Sequence, residues 1–159
     1  MEPPSPRPIS IRNESARSID LELVRRGVLS ACSTVEIPEG EISILLTSSQ
    51  EIRSLNSQFR AIDEPTDVLT FPADDLTGKL CGDIAISTDI AQLQADLRSV
   101  SIDEEAAFLA IHGVLHLGGY DDHEESDRSA MVAMMNVVAG SAGLTPDHEW
   151  HSRLHGAIS

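Results

Sequence analysis

The sequence predicts a single α/β domain, and three observations lead to that fold class. The chain has 159 residues, enough for one domain with a sizeable core. Hydrophobic residues make up 41% of it, which places it with globular rather than disordered chains. Short β-rich apolar runs alternate with longer stretches of helical periodicity, and no repeat or linker divides them. Aromatics are only 3%, so aliphatic side chains must do the packing.

Each element follows from its own pattern. Ile9 to Asn13 alternates apolar and polar residues and reads as an edge or first strand. Ser18 to Ser30 carries Ile19, Leu21, Leu23, Val24, Val28 and Leu29, close to a helical stripe. After a turn at Pro38 to Gly40, Glu41 to Leu46 forms a second strand. Ser48 and Glu51 make a capping box that opens a helix to about Phe59. A polar loop, Arg60 to Pro65, leads into a strand over Asp67 to Pro72, and Gly82 to Ser87 forms another. Ile90, Leu93 and Leu97 set a helix over Thr88 to Leu97. A second capping box, Ser101 and Glu104, opens a helix that is apolar on most sides and so is expected to be central and buried. Ser126 to Ala139 is a further helix whose methionines read as core filler, broken by Gly140 to Pro146. A short helix is expected in the tail from Asp147.

The chemistry concentrates in Ala110 to Met131, AIHGVLHLGGYDDHEESDRSAM. His112 and His116 are four apart, so on a helix both imidazoles share one face. Gly118-Gly119 then stops the helix and returns Asp122 and His123 toward it. Two imidazoles on a rigid helix plus one ligand from the loop make a three-point metal site. Zinc is the expected ion, one per chain, with a fourth position open for water. Gly113 stands where zinc proteases of the HExxH type carry their catalytic glutamate, so peptidase chemistry is disfavoured, with Glu124 or Glu125 as the only nearby substitutes. His148, His151 and His155 would share a face of a terminal helix, and that face is expected to point to solvent rather than form a second site.

The rest of the chain bounds the setting. A formal net charge of −15 argues against general electrostatic capture of nucleic acid, and any RNA-directed function must account for that sign. Cys32 and Cys81 match no disulfide or metal framework. No run is long enough to span a membrane, and residues 1–8 read as a disordered lead without the apolar core of a signal peptide, so a cytoplasmic domain over 9–159 is expected.

Three stretches together resemble the YbeY family of endoribonucleases, implicated in ribosomal RNA maturation. His112 to Asp121, HGVLHLGGYD, is similar to the family hallmark HGxLHLxGYDH. Asn56 to Pro72, NSQFRAIDEPTDVLTFP, resembles its arginine-containing loop leading into PTDVLSFP, and Gly82 to Ser87 resembles GDIxIS. They stand in family order within roughly residues 40 to 136. The resemblance implies a small mixed four-stranded sheet flanked by five or six helices, one zinc ion, and single-stranded ribosomal RNA as substrate, with no DNA expected. It also implies that Arg60 faces the metal, where a guanidinium could hold a phosphate, and that His112, His116 and Arg60 carry the chemistry.

One departure from the family pattern matters. The third histidine of the hallmark directly follows GYD, but here that position is Asp122 and His123 comes one residue later. Imidazole is the commoner zinc ligand, so His123 is read as the third ligand, and Asp122 remains the alternative. Asp67 and Asp83 are either ordinary strand-start residues or orienters of a metal-binding histidine. A solvated arginine, or a salt bridge to Asp63 or Glu64, is the less favoured reading of Arg60. Two other functions remain open from sequence: an acidic ribosome-assembly factor that docks ribosomal proteins around a structural zinc, and a metallohydrolase with a non-RNA substrate.

Overall fold

A computed structural model describes residues 7–150. Its elements run β1 (Ile9–Asn13), α1 (Leu21–Thr34), β2 (Glu41–Thr47), α2 (Ser49–Arg60), β3 (Val68–Pro72), β4 (Leu80–Ser87), α3 (Thr88–Arg98), α4 (Ile102–Leu117) and α5 (Glu125–Ser141). The strands form one mixed sheet in the order β1-β2-β4-β3. β1, β2 and β4 are parallel, and β3 lies antiparallel on the edge beside β4.

Register sorts the side chains between two faces, because strand residues alternate. Ile42, Ile44 and Leu46 pair with Gly82, Ile84 and Ile86, and this row faces the main core with Val24, Val28, Phe108 and Ile111. The opposite face is covered by α2 through a smaller cluster of Ile52, Leu69 and Ala85. The main core therefore lies between the sheet and α1, α4 and α5, with α4 at its centre. Twelve of the sixteen α4 residues are buried, as expected of a helix apolar on most sides.

The serine half of each capping box forms: the Ser48 hydroxyl accepts from Glu51 N, and the Ser101 hydroxyl accepts from Glu104 N, while the Glu104 carboxylate accepts from Thr145 instead of turning back to Ser101. α1 starts later than expected from Ser18, because the Asp20 carboxylate caps it by accepting from Glu22 N and Leu23 N. α5 runs through Gly140 to Ser141 instead of breaking before it, and the left-handed glycine of this stretch is Gly143, at φ +78°, just past the helix end. Arg7 and Pro8, expected in the lead, are held in place: the Arg7 guanidinium donates to the carbonyls of Ile37, Pro38 and Gly40, and Pro8 O accepts from Ile42 N. The rest of the expected lead, and the tail beyond Trp150 with His151 and His155, lie outside the described residues.

Glycine sets the distance between α4 and the sheet. A Cβ on Gly113 would stand 2.9 Å from the Ile84 side chain. A Cβ on Gly82 would meet Leu117 Cδ2 at 2.5 Å and the Phe71 carbonyl at 2.8 Å. Gly113 is thus occupied by packing, and a glutamate there has no room. The close neighbour is the Ile84 side chain rather than another backbone.

Candidate metal centre and its cleft

α4 holds His112 and His116 one turn apart, with ring centroids 4.6 Å apart and planes at 80°. Their Nε2 atoms approach to 3.0 Å. His116 Nδ1 lies 2.9 Å from the Tyr120 carbonyl. A carbonyl can only accept, so Nδ1 carries a proton and neutral His116 leaves Nε2 as a lone pair facing His112. The turn that makes this possible is built on the two glycines. Gly118 N donates to Val114 O and Leu115 O, Gly119 takes φ +96°, and Tyr120 N donates back to Leu115 O.

The returning loop brings Asp122 to the pair. Its Oδ2 is 3.6 Å from His112 Nε2 and 3.5 Å from His116 Nε2, and its side chain is only 11% exposed. Donors at 2.0–2.1 Å from a tetrahedral zinc sit roughly 3.4 Å from one another. A triangle of 3.0, 3.5 and 3.6 Å therefore fits one such ion with little adjustment. Arg128 fixes the loop by donating to the carbonyls of Asp122 and His123.

His123, expected as the third ligand, lies elsewhere on the same loop. Its side chain is 71% exposed, with Nε2 3.4 Å from Asp121 Oδ1. Among the described residues two groups could share an ion: His112, His116 and Asp122, and the more exposed Asp121, Asp122 and His123. Asp122 belongs to both.

A cleft of about 400 Å³ opens beside these donors, lined by Asn56, Arg60, Thr66, His116, Asp122 and His123 among others. Arg60 ends α2 and reaches the exposed edge of the sheet, where its guanidinium donates to Thr70 O at 2.7 Å and lies 5.6 Å from the Phe71 ring centroid. The salt bridge considered for it goes to another residue: Arg53 pairs with Asp63 at 2.8 Å. Buried Asn56, which the sequence did not single out, organises the loop after α2. Its side-chain amide donates to Glu64 O, and its backbone carbonyl accepts from Ile62 N. Only its place on the α2 face beside Ile52 could have flagged it.

The two strand-start aspartates separate. Asp67 is fully buried, with Oδ1 accepting from the Thr66 hydroxyl and Oδ2 lacking a hydrogen-bond partner among the described residues. Asp83 is exposed on the sheet face away from α4, so it cannot orient a histidine on that helix. Ser87 caps α3 by accepting from Ile90 N, and the Thr88 hydroxyl donates to Thr47 O.

Behind the centre lies a buried polar network with no signature in the sequence. Glu105, fully buried on α4, accepts from Arg98, Gln94 and the Trp150 indole. Arg98 also pairs with Asp147 at 3.0 Å. Burial pushes the Glu105 carboxyl above its ordinary range, against the charge of Arg98 and the donated hydrogen bonds. The Trp150 ring lies 6.1 Å from Phe108 and 5.3 Å from His112.

Comparison with known proteins follows the same lines. The family model described as Endoribonuclease YbeY matches residues 10–142. The Endoribonuclease YbeY of Heliobacterium modesticaldum is 39% identical over 127 residues, covering 72% of this chain and 75% of the relative. That of Roseiflexus castenholzii is 38% identical over 148 residues, covering 86% and 92%. The solution structure of TM1509 from Thermotoga maritima superposes with a TM-score of 0.60 at 31% identity, over 84% of this chain and 88% of that one.

Proposed function

The chain belongs to the YbeY endoribonuclease family, and on that premise we propose that it is a zinc-dependent, single-strand-specific endoribonuclease of ribosomal RNA maturation, acting in the cytoplasm. The observation that supports the metal is the triangle of two imidazole nitrogens and one carboxylate oxygen, sized for a single ion. His112, His116 and Asp122 would hold it, with His123 the remaining alternative. Such an ion, when bound, supplies Lewis acidity toward a phosphate oxygen and a lowered pKa for water.

The other residues act on the RNA and on the site's geometry. Arg60 would place a delocalised positive charge in the cleft, able to take a phosphate bidentately and to offset charge that develops as the diester reacts. Its hydrogen bond to Thr70 O and its contact with the Phe71 ring hold the guanidinium ready without neutralising it. His116 is oriented by Tyr120 O and the loop by Arg128, so the donors are set before any ligand arrives. A net charge of −15 restricts RNA capture to this local chemistry and favours basic ribosomal proteins as additional partners. No helix among the described residues is long and apolar enough to cross a membrane.

Metal analysis and RNA cleavage on wild type and His116→Ala test the proposal together. Wild type should carry about one zinc per chain and cut single-stranded RNA in preference to duplex, and His116→Ala should lose both properties. Cleavage that survives full removal of metal would overturn it.

A further inference from the structure

The sheet face opposite α4 is only partly covered. α2 shields β3 and β4 through Ile52, Leu69 and Ala85, and among the described residues the face then continues over β1 and β2 with Ser10, Ser43 and Leu45 only partly buried. Register puts two rows of side chains across it. Ser10, Ser43, Asp83 and Phe71 form one row, and Arg12, Leu45, Ala85 and Leu69 form the other. A groove of about 570 Å³ runs along these rows, walled by Leu55 and Phe59 of α2. Its aromatic end is open: Phe59 is 61% exposed and meets Phe71 edge-to-face at 5.5 Å.

This groove adjoins the metal cleft. Phe59 is chain neighbour to Arg60, which lines the cleft and lies 5.6 Å from the Phe71 ring centroid. Edge strand β3 is the ridge between the two, with Thr70 and Pro72 lining the cleft and Phe71 lining the groove. We propose that the groove is a nucleobase subsite for the single-stranded RNA whose phosphate sits at Arg60, with Phe59 and Phe71 as the stacking surface; this rests on the endoribonuclease reading above.

The chemistry of the lining favours that occupant. Aromatic rings on a four-stranded sheet are a known way to stack unpaired bases, and stacking tolerates any sequence. Asp83, Ser10 and Ser43 lie in the same row as Phe71 and offer acceptors and donors to a base edge. Arg12 borders the groove, with its side chain 67% exposed and paired only at the surface with Glu14 at 3.4 Å, so it can exchange that partner for a phosphate. Arg12 thus supplies a cation on the β1 side of the groove and Arg60 one in the adjoining cleft beside Phe71, in a chain that is otherwise strongly acidic. A duplex cannot present an unstacked base to this wall, which gives strand preference a physical origin.

An abasic scan tests the subsite. Fluorescein-labelled twelve-nucleotide single-stranded RNAs, each with one abasic position, are bound to wild type, Phe59→Ala and Phe59→Tyr in chelator, and cleavage of the intact RNA by metal-loaded wild type is measured alongside. In wild type one or two positions should weaken binding by roughly fivefold to a hundredfold when the base is removed. Phe59→Ala should bind the intact strand that much more weakly and show no further loss at those positions, while Phe59→Tyr should keep the wild-type profile. Phe59 is largely exposed, so its replacement leaves the core in place. Identical scan profiles in wild type and Phe59→Ala, with cleavage intact, would overturn the subsite and leave the endoribonuclease reading standing. Wild type that neither binds nor cleaves RNA would overturn that reading and the subsite with it.

Discussion

Two polar clusters sit on one helix, and they are built in opposite ways. At the N-terminal half of α4, Glu105 is fully buried and its two oxygens accept from Arg98, Gln94 and Trp150. Every partner there is an opposite charge or a matched donor, so the cluster is closed. At the C-terminal half, His112, His116 and Asp122 turn three donor atoms toward one point beside an open cleft. Atoms that pair as donor with acceptor or charge with opposite charge make a scaffold, whereas three ligand-type atoms spaced to meet at one point beside an open cleft are arranged to share a cation. Burial alone would not have told the two apart, because His112 is nearly as buried as Glu105.

If that contrast is right, metal and stability should separate by mutation. The largest effect is expected from His116→Ala. It should weaken zinc binding beyond the 10–100-fold loss typical of residues that only support a ligand. In chelator its unfolding free energy should change by no more than about 1 kcal/mol, the scale of one lost hydrogen bond to Tyr120 O. Isothermal titration and thermal melts measure the two quantities. Equal zinc affinity in wild type and His116→Ala would erase the distinction between the clusters.

Glu105→Ala should do the reverse. It strips Arg98 of its buried partner, though Asp147 stays, so the loss falls near the low end of the range for broken buried pairs, about 3 kcal/mol. In a chain of this size that corresponds to a melting point lower by roughly 6–12 °C. The protein that remains folded should still take up one zinc. The pH dependence of this cluster has a definite sign. Burial raises the folded pKa of Glu105, so its contribution to stability is fully present below the unfolded value, near 4.3, and is lost as pH rises through the folded value. Glu105→Gln cannot ionise and escapes that loss. Its stability deficit relative to wild type should therefore shrink as pH rises from about 4 toward neutrality, and a deficit that grows would reverse the sign assigned to burial here.

Arg60→Ala addresses the cleft alone. It should leave zinc content and melting point near wild type and lower RNA turnover by about 10²-fold, the low end for one lost charge-stabilising donor. Lysine should restore only part, because it lacks the planar fork. Turnover equal to wild type would return Arg60 to a role in covering the β3 edge.

What could be read from sequence and what could not divides along the range of the interaction. The Ser48 and Ser101 caps and the His112–His116 face are local, with partners three or four residues apart, and the structure has them where the spacing put them. Asp20 also caps locally, but it lies just inside an apolar run, so periodicity places it within the helix rather than at its start. The Glu105 cluster joins α4 to a residue 45 positions on, and no local pattern announces such a pairing. The open sheet face was equally hidden. Alternation in β1, β2 and β4 shows that two faces exist, but only strand order and the short reach of α2 show which part of one the described residues leave open.

The smallest effect should come from His123, and it bears most directly on the one ambiguous ligand. Sequence favours His123, because imidazole is the commoner zinc donor and a one-residue bulge in a loop is cheap. The loop has no such bulge toward the helix. Gly119 and Tyr120 are pinned by Leu115 O and His116 O, which leaves Asp122 as the residue within 3.6 Å of both imidazoles. His123 then falls one step too far along and turns outward to Asp121. At neutral pH, in competition with a chelator, Asp122→Ala should lose zinc severely, while His123→Ala should stay within a few-fold of wild type, as for a solvent-facing residue. The acid dependence gives an independent reading. Each histidine ligand must shed a proton to bind, so the steepness of zinc loss with falling pH counts the imidazoles on the ion. His123→Ala should leave that steepness unchanged at the value set by His112 and His116, and a shallower curve would mean that a third imidazole had been on the metal and that the loop rearranges to deliver it.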